Sequence, residues 1–275
     1  MKAEKKDRSA MKKTFFAIML TAALVVLGIS AYKIVTIGSM YTEGKKTYAG
    51  LSDDYTQVVR ETAAPVAEAV SPLLESEIAA ANLEPCPIDV DFDRLLNDVS
   101  MSIRGWIYCP DTVINYPVVQ SGNNEYYLNH NVRGAESAVG AIFMEAQNHS
   151  DFSDRSTALH GHHMNDGSMF ASIEKWQKQE YFDEHPVMYL STVSSGNYKI
   201  ELFAAFITTE DSDVYRLDFG GDDGYARWLA SIRERSKVQS DVVVVPGDRV
   251  LLLSTCAYTS ANARSVLLGK MTQIA

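Results

Sequence analysis

The chain is poor in cysteine. Cys86, Cys109 and Cys256 are its three thiols in 275 residues, too few for a disulfide framework, and the odd count leaves at least one without a partner inside the chain. No internal repeat and no low-complexity tract occurs. Basic residues are outnumbered, 25 Lys and Arg against 35 Asp and Glu for a formal charge of −10, which disfavours sequence-independent binding to nucleic-acid phosphates. With 46% hydrophobic and 22% charged residues, wholesale disorder and coiled coil are excluded as well, and the chain is long enough to bury a real core.

One stretch lacks charge altogether. Residues 14–32 (TFFAIMLTAALVVLGISAY) carry none, whereas residues 1–13 carry six basic and two acidic side chains, leaving 19 basic against 33 acidic in the rest. Nineteen residues of helix span roughly 28 Å, the thickness of a bilayer hydrocarbon core. The basic cluster ahead of the run predicts a single-pass signal-anchor with a cytoplasmic tail over 1–13 and everything after it outside the cytoplasmic membrane. A cleaved signal peptide is the alternative, but the run is longer than a usual h-region and no clear A-x-A site follows. Either way the bulk of the chain is exported.

Residues 33–87 read as a partly helical stalk, rich in Ala, Glu and Leu and broken at Pro65 and Pro72. After the Pro-Cys-Pro at 85–87 the composition turns to short β-rich runs separated by Gly, Asn and Asp, which puts a domain over 88–275. Strands are predicted at 105–109, 113–120, 138–144, 156–160, 186–193, 198–208, 249–256 and 264–271. Helical patterning falls at 167–179, where Met169, Phe170, Ile173 and Trp176 share a face, and at 222–237. Eight strands without regular intervening helices predict a mostly β fold, an eight-stranded and mostly antiparallel barrel with peripheral helices.

Cys256 closes an apolar run and opens a polar loop, the kind of strand terminus where reactive groups sit. A nucleophilic thiol needs a base or a cation that favours the thiolate, and Arg264 is eight residues away across a hairpin-like connection. Against this stands the ordinary reading of a buried cysteine and a surface arginine. His160, His162 and His163 cluster in ALHGHHMNDGSMF. They admit either a zinc site of an exported hydrolase, although Met164 and Asn165 stand where an HxHxDH pattern needs Asp and His, or a general acid and base serving a distant Cys. Asp166, Glu145 and Asp111 are candidates to orient His162. Ser254 and Thr255 are candidates to line a groove, one of them at most facing it. Cys86 and Cys109 are left open as a disulfide pair, and acidic residues at 211, 213, 222 and 223 follow no calcium-loop spacing.

LHGHHMNDGSMFASIEKW resembles the catalytic histidine segment of sortases, with His160 where Tyr is common. LLSTCAYTSANAR resembles their TLxTC motif with its downstream arginine, with Leu252 in place of Thr. VDFDRLLNDVSMSIRGWIYCPDTVINYPVVQSGNNEYYLNH and the GSMF helix are similar to class B members in particular. The resemblance covers about residues 88–275 and implies a sortase-type barrel and a cysteine transpeptidase without metal or cofactor. It implies Cys256 as nucleophile, His162 as general acid and base, and Arg264 as stabiliser of negative charge. The implied partners are secreted proteins bearing a C-terminal sorting signal, cleaved after Thr, and an amine of a lipid-linked peptidoglycan precursor in a Gram-positive wall, or a pilin Lys in a polymerising variant. A non-catalytic surface scaffold remains the reading in which the thiol is inert.

Overall fold

The computed structural model describes residues 2–59, 84–256 and 262–275, and side chains over 14–59, 84–255 and 262–275. It divides into two compact units, Met1–Glu43 and Gly44–Ala275. The first belongs to one long helix, α1 (Lys2–Tyr55). From Thr14 this is the one helix among the described residues long and apolar enough to cross a membrane, and its apolar side chains are exposed, Phe16, Leu24 and Leu27 among them.

The second unit is built on a closed barrel of eight strands: β3 (Ile103–Tyr108), β4 (Asn115–Val119), β5 (Ile142–Met144), β6 (Ser156–His160), β7 (Val187–Thr192), β8 (Gly196–Thr209), β9 (Arg249–Cys256) and β10 (Ala263–Ile274). Their order around the barrel is β10-β8-β7-β3-β4-β5-β6-β9. Pairing is antiparallel except at β4 with β5 and β6 with β9. The mostly β, eight-stranded expectation holds. β9 is a continuous apolar run because both of its faces are covered. Val250 and Leu252 join Val266, Leu268, Tyr225, Trp228 and Ile232 in a cluster beneath the helix Asp222–Arg235, while Leu251 and Leu253 alternate to the other face and are equally buried.

Two expectations are corrected. The strand read at 138–144 starts only at Ile142, because Gly140 takes φ +63 and turns the chain. The helix read at 167–179 is a 3-10 segment, Ala171–Gln177, followed by a short α-helix, Gln179–Glu184. Met169 sits at φ 56, outside helical geometry, because it pairs back with His163 and Phe170 N–H donates to His162 O. The four apolar residues of that segment are still buried.

Part of the stretch read as a stalk packs with the barrel. The compact unit begins at Gly44, since Tyr48, Leu51 and Tyr55 on the last turns of α1 are buried. β1 (Thr56–Val58) pairs antiparallel with β2 (Ile88–Val90), and Glu84 is tied to the barrel by Lys199 at 2.6 Å. The breaks expected at Pro65 and Pro72 lie outside the described residues.

Candidate active site

Two strands that are distant in sequence create the site. β6 runs parallel to β9 with His160 opposite Ser254, and the ladder continues one step further as Gly161 N–H donates to Ser254 O at 3.1 Å. Gly161 is required by close packing, because a Cβ there would lie 2.5 Å from Ile142 Cδ1 and 2.9 Å from the Phe170 ring. His162 lies two residues beyond His160, and Cys256 two residues beyond Ser254, so the two parallel strands deliver both to the same end of the barrel. On the other side of β9, β10 places Arg264 directly opposite Cys256 in the antiparallel register. The side chain of Cys256 and the loop that includes Tyr258 lie outside the described residues.

His162, Arg264, Ser254 and Thr255 all border one cavity of ≈ 460 Å³, shared with His160 and Glu210. His162 Nε2 lies 2.6 Å from Leu128 O. A carbonyl only accepts, so Nε2 carries the hydrogen, and Nδ1 is the nitrogen left to take up or give a proton. Arg264 is held at both ends of its guanidinium, Nη2 by Glu210 Oε2 at 2.6 Å and Nη1 by Ala263 O at 3.1 Å. Ser254 and Thr255 differ as strand alternation requires. The Ser254 hydroxyl is 2.7 Å from Tyr215 OH, whereas Thr255 Oγ1 is buried with no hydrogen-bond partner among the described residues.

The three clustered histidines diverge. His160 Nε2 meets Glu145 Oε2 at 3.2 Å and its ring lies 5.8 Å from that of Tyr215, while His163 meets Glu174 at 3.2 Å. Among the described residues no set of three potential ligands converges on a metal position, and imidazoles with three separate partners do not form a zinc site. Burial raises the Glu145 carboxyl, but hydrogen bonds from His160 and Asn124 outweigh it and hold the group below the usual carboxylate range.

None of the three acidic candidates orients His162. Asp166 pairs with Lys45 at 3.0 Å, Glu145 serves His160, and Asp111 occupies a left-handed turn. The partner is a main-chain carbonyl, which no sequence pattern marks. Glu210 and Tyr215 were likewise missed. Cys86 and Cys109 are free and buried, with Cys86 Sγ 3.6 Å from Ser191 Oγ and Cys109 Sγ 3.6 Å from Val187 O. Burial pushes the Cys109 thiol up to about 12, which leaves it protonated and unreactive.

Comparison with known proteins bears on this arrangement. Residues 107–272 match the model of the Sortase domain. The chain is 31% identical over 263 residues to Sortase B of Listeria monocytogenes, covering 94% of this chain and 98% of that one. The solved Staphylococcus aureus sortase B-substrate complex is 28% identical with a TM-score of 0.68, over 85% of this chain and 98% of that one. A sortase B solved in complex with triglycine is 33% identical with a TM-score of 0.63, over 67% of this chain and 86% of that one. A strand-end cysteine facing an arginine, with a histidine following the neighbouring parallel strand, is thus carried on a fold and a sequence shared with these enzymes: the chain belongs to the sortase family, with the class B members as its relatives, and is a cysteine transpeptidase.

Proposed function

We propose that the chain is a membrane-anchored transpeptidase in which Cys256 is the nucleophile, His162 the general acid and base, and Arg264 the stabiliser of the oxyanion. The Cys256 thiolate attacks the carbonyl carbon of a Thr in a C-terminal sorting signal. The C–N bond then breaks, protonated His162 delivers its proton to the departing amine, and a thioester to Cys256 remains. An incoming amine attacks that thioester, gives its proton to neutral His162, and expels the thiolate as the new amide forms. Dividing one amide exchange into two acyl transfers lowers the barrier of each, and the planar guanidinium supplies donors where negative charge develops.

The observation that carries this reading is the backbone pairing of Cys256 with Arg264 at the rim of the cavity that Arg264 shares with His162. The Leu128 contact leaves His162 Nδ1 for proton transfer, and the Glu210 contact fixes the guanidinium plane. For the acceptor, the sortase B relative solved with triglycine points to a peptide amine of a lipid-linked wall precursor. The basic tail and uncharged run support a cytoplasmic N-terminus and an extracellular barrel.

Intact-mass spectrometry of the full chain in detergent, incubated with peptides carrying five-residue sorting signals, tests the proposal. A thioacyl adduct forms in the parent chain, is absent from Cys256→Ala, and is lost on addition of triglycine with appearance of a ligated peptide. His162→Ala slows adduct formation by about 10³-fold and Arg264→Ala by about 10²-fold, and chelator has no effect. Resolution of the adduct by a Lys-bearing pilin peptide in preference to triglycine would assign the acceptor to a pilin instead. An adduct that survives in Cys256→Ala, or a Cys256 thiol that resists alkylation, overturns the assignment of the nucleophile.

A further inference from the structure

The last turns of α1 touch the segments on both sides of His162. Tyr48 is buried, and its hydroxyl donates to Gly140 O at 2.5 Å. Gly140 in turn packs against the site: a Cβ at this position would lie 2.6 Å from Tyr127 O, 2.9 Å from His162 Cδ2 and 3.1 Å from Leu128 O. The residue whose carbonyl Tyr48 grips therefore lies so close to the imidazole and to the carbonyl that holds its Nε2 that no side chain fits between them. Ala141 N–H donates to Tyr127 O at 3.0 Å, which closes the ledge.

The other flank is held from the same helix. The Tyr48 ring meets Tyr116 edge to face at 5.6 Å, and Tyr116 OH accepts from Met169 N–H at 3.1 Å, beyond the segment that follows His162. Lys45 reaches Asp166 in that segment at 3.0 Å. Gly44 fits under Val139, where a Cβ would come within 2.5 Å of Cγ2. Burial pushes the Tyr48 phenol well above its ordinary value, so the hydroxyl stays protonated and remains a donor throughout the working pH range.

We propose that Tyr48 is a positioning residue for His162, acting through Gly140 and the Leu128 carbonyl, so that the part of α1 beyond residue 43 is a working part of the site. The inference rests on the assignment of His162 as general acid and base. Without the hydroxyl, the Gly140 carbonyl loses its partner, the ledge relaxes, and the Nε2 anchor lengthens. The charged and titratable groups sharing the His162 cavity, Glu145, His160, Glu210 and Arg264, are untouched by the change.

The test is Tyr48→Phe in the full chain in detergent, which keeps the ring and removes the hydroxyl, with its donation to Gly140 O and its acceptance from the Val132 backbone N–H. Two quantities are followed: the ¹⁵N resonances of the His162 imidazole at one pH, assigned by their absence in His162→Ala, and kcat and KM for a sorting-signal peptide. The expected result is a shifted Nε2 resonance, the signature of a lengthened anchor to Leu128 O, with kcat reduced about tenfold at a KM changed less than twofold, since small misplacement of a catalytic group costs turnover more than binding. A purely structural role predicts a lower melting temperature with the His162 resonances and kcat unmoved, and that result overturns the proposal. If Tyr48→Phe does not fold, 3-fluorotyrosine at position 48 keeps the shape and alters donor strength alone. A shifted His162 Nε2 resonance then supports the coupling and an unshifted one overturns it. Full activity in His162→Ala would instead defeat the general acid and base assignment, while the resonances still report whether Tyr48 governs the ring.

Discussion

One helix, α1, carries two different kinds of apolar surface. Over 14–32 the apolar residues are continuous around the helix and stand exposed, as Phe16, Leu24 and Val26 do. Over 44–55 they are sparse and periodic: Tyr48, Leu51 and Tyr55, spaced by three and four residues, are buried, while Asp53 and Asp54 face outward. Uniform apolarity suits a surrounding solvent that is itself apolar, whereas a single stripe suits one protein face. The same backbone geometry therefore serves as a candidate membrane span and as a piece of the barrel unit, and only the side-chain pattern tells the two apart.

The sharpest way to break that comparison is to cut the helix at different points. A chain beginning at Ile34 keeps the whole Gly44–Ala275 unit and melts as the parent does. A chain beginning at Thr56 loses the buried Tyr48, Leu51 and Tyr55, each contributing about 1.5–3 kcal/mol, and the sum approaches the entire stability of a typical domain. Calorimetry should show a cooperative transition in the first and none, or one at much lower temperature, in the second. Equal melting of the two would mean that the stripe on α1 is not part of the unit.

Next in size are single substitutions on each half. Leu51→Ala should cost about 2–5 kcal/mol in urea unfolding, while Leu24→Ala, on the exposed stretch, should lie within about 0.5 kcal/mol of the parent. Leu24→Asp separates the halves in the opposite sense. It should leave the unfolding midpoint of the barrel unit unchanged while weakening membrane insertion by about 3 kcal/mol, read by flotation with liposomes.

The smallest effect concerns the Lys45–Asp166 pair between helix and loop. Lys45 is more than half exposed, so Lys45→Gln should cost only about 0.2–1 kcal/mol. Burial raises the Asp166 carboxyl, but hydrogen bonds from Ser168 and the ammonium of Lys45 outweigh it and hold the group below its ordinary value of 3.8. A group whose folded value is depressed contributes stability that is present above the ordinary value and lost as pH falls through the folded one. Urea midpoints of the parent should therefore fall more steeply below about pH 4 than those of Asp166→Asn, and parallel curves would deny the pair its role.

The barrel was legible because its strands are short apolar runs bounded by turn residues. Seven of the eight predicted segments overlap the observed strands closely, and the eighth, at 138–144, was trimmed by one glycine at positive φ. The stripe at 48, 51 and 55 was visible too, but it was absorbed into a stalk because its partner surface is supplied by residues far along the chain. At the candidate site the chemistry-bearing side chains were named from motif and type, and His162, Arg264, Ser254 and Thr255 do border one cavity. What holds them was not named. Leu128 acts through a carbonyl that every residue possesses, and Glu210 and Tyr215 lie on connections whose placement depends on how β8 ends.

The sequence alone determined the approximate positions of the eight barrel strands, the uncharged run behind a basic tail, and the residue types able to do chemistry, because periodicity, charge and functional-group type are local properties. Tertiary structure alone decided that β6 lies parallel to β9, that His162 bonds a main-chain carbonyl, and that the end of α1 braces both flanks of that histidine. The physical reason is that non-local backbone pairing and side-chain contact across the barrel are chosen by what closes the sheet and fills its core, and those choices leave no local mark in the order of residues.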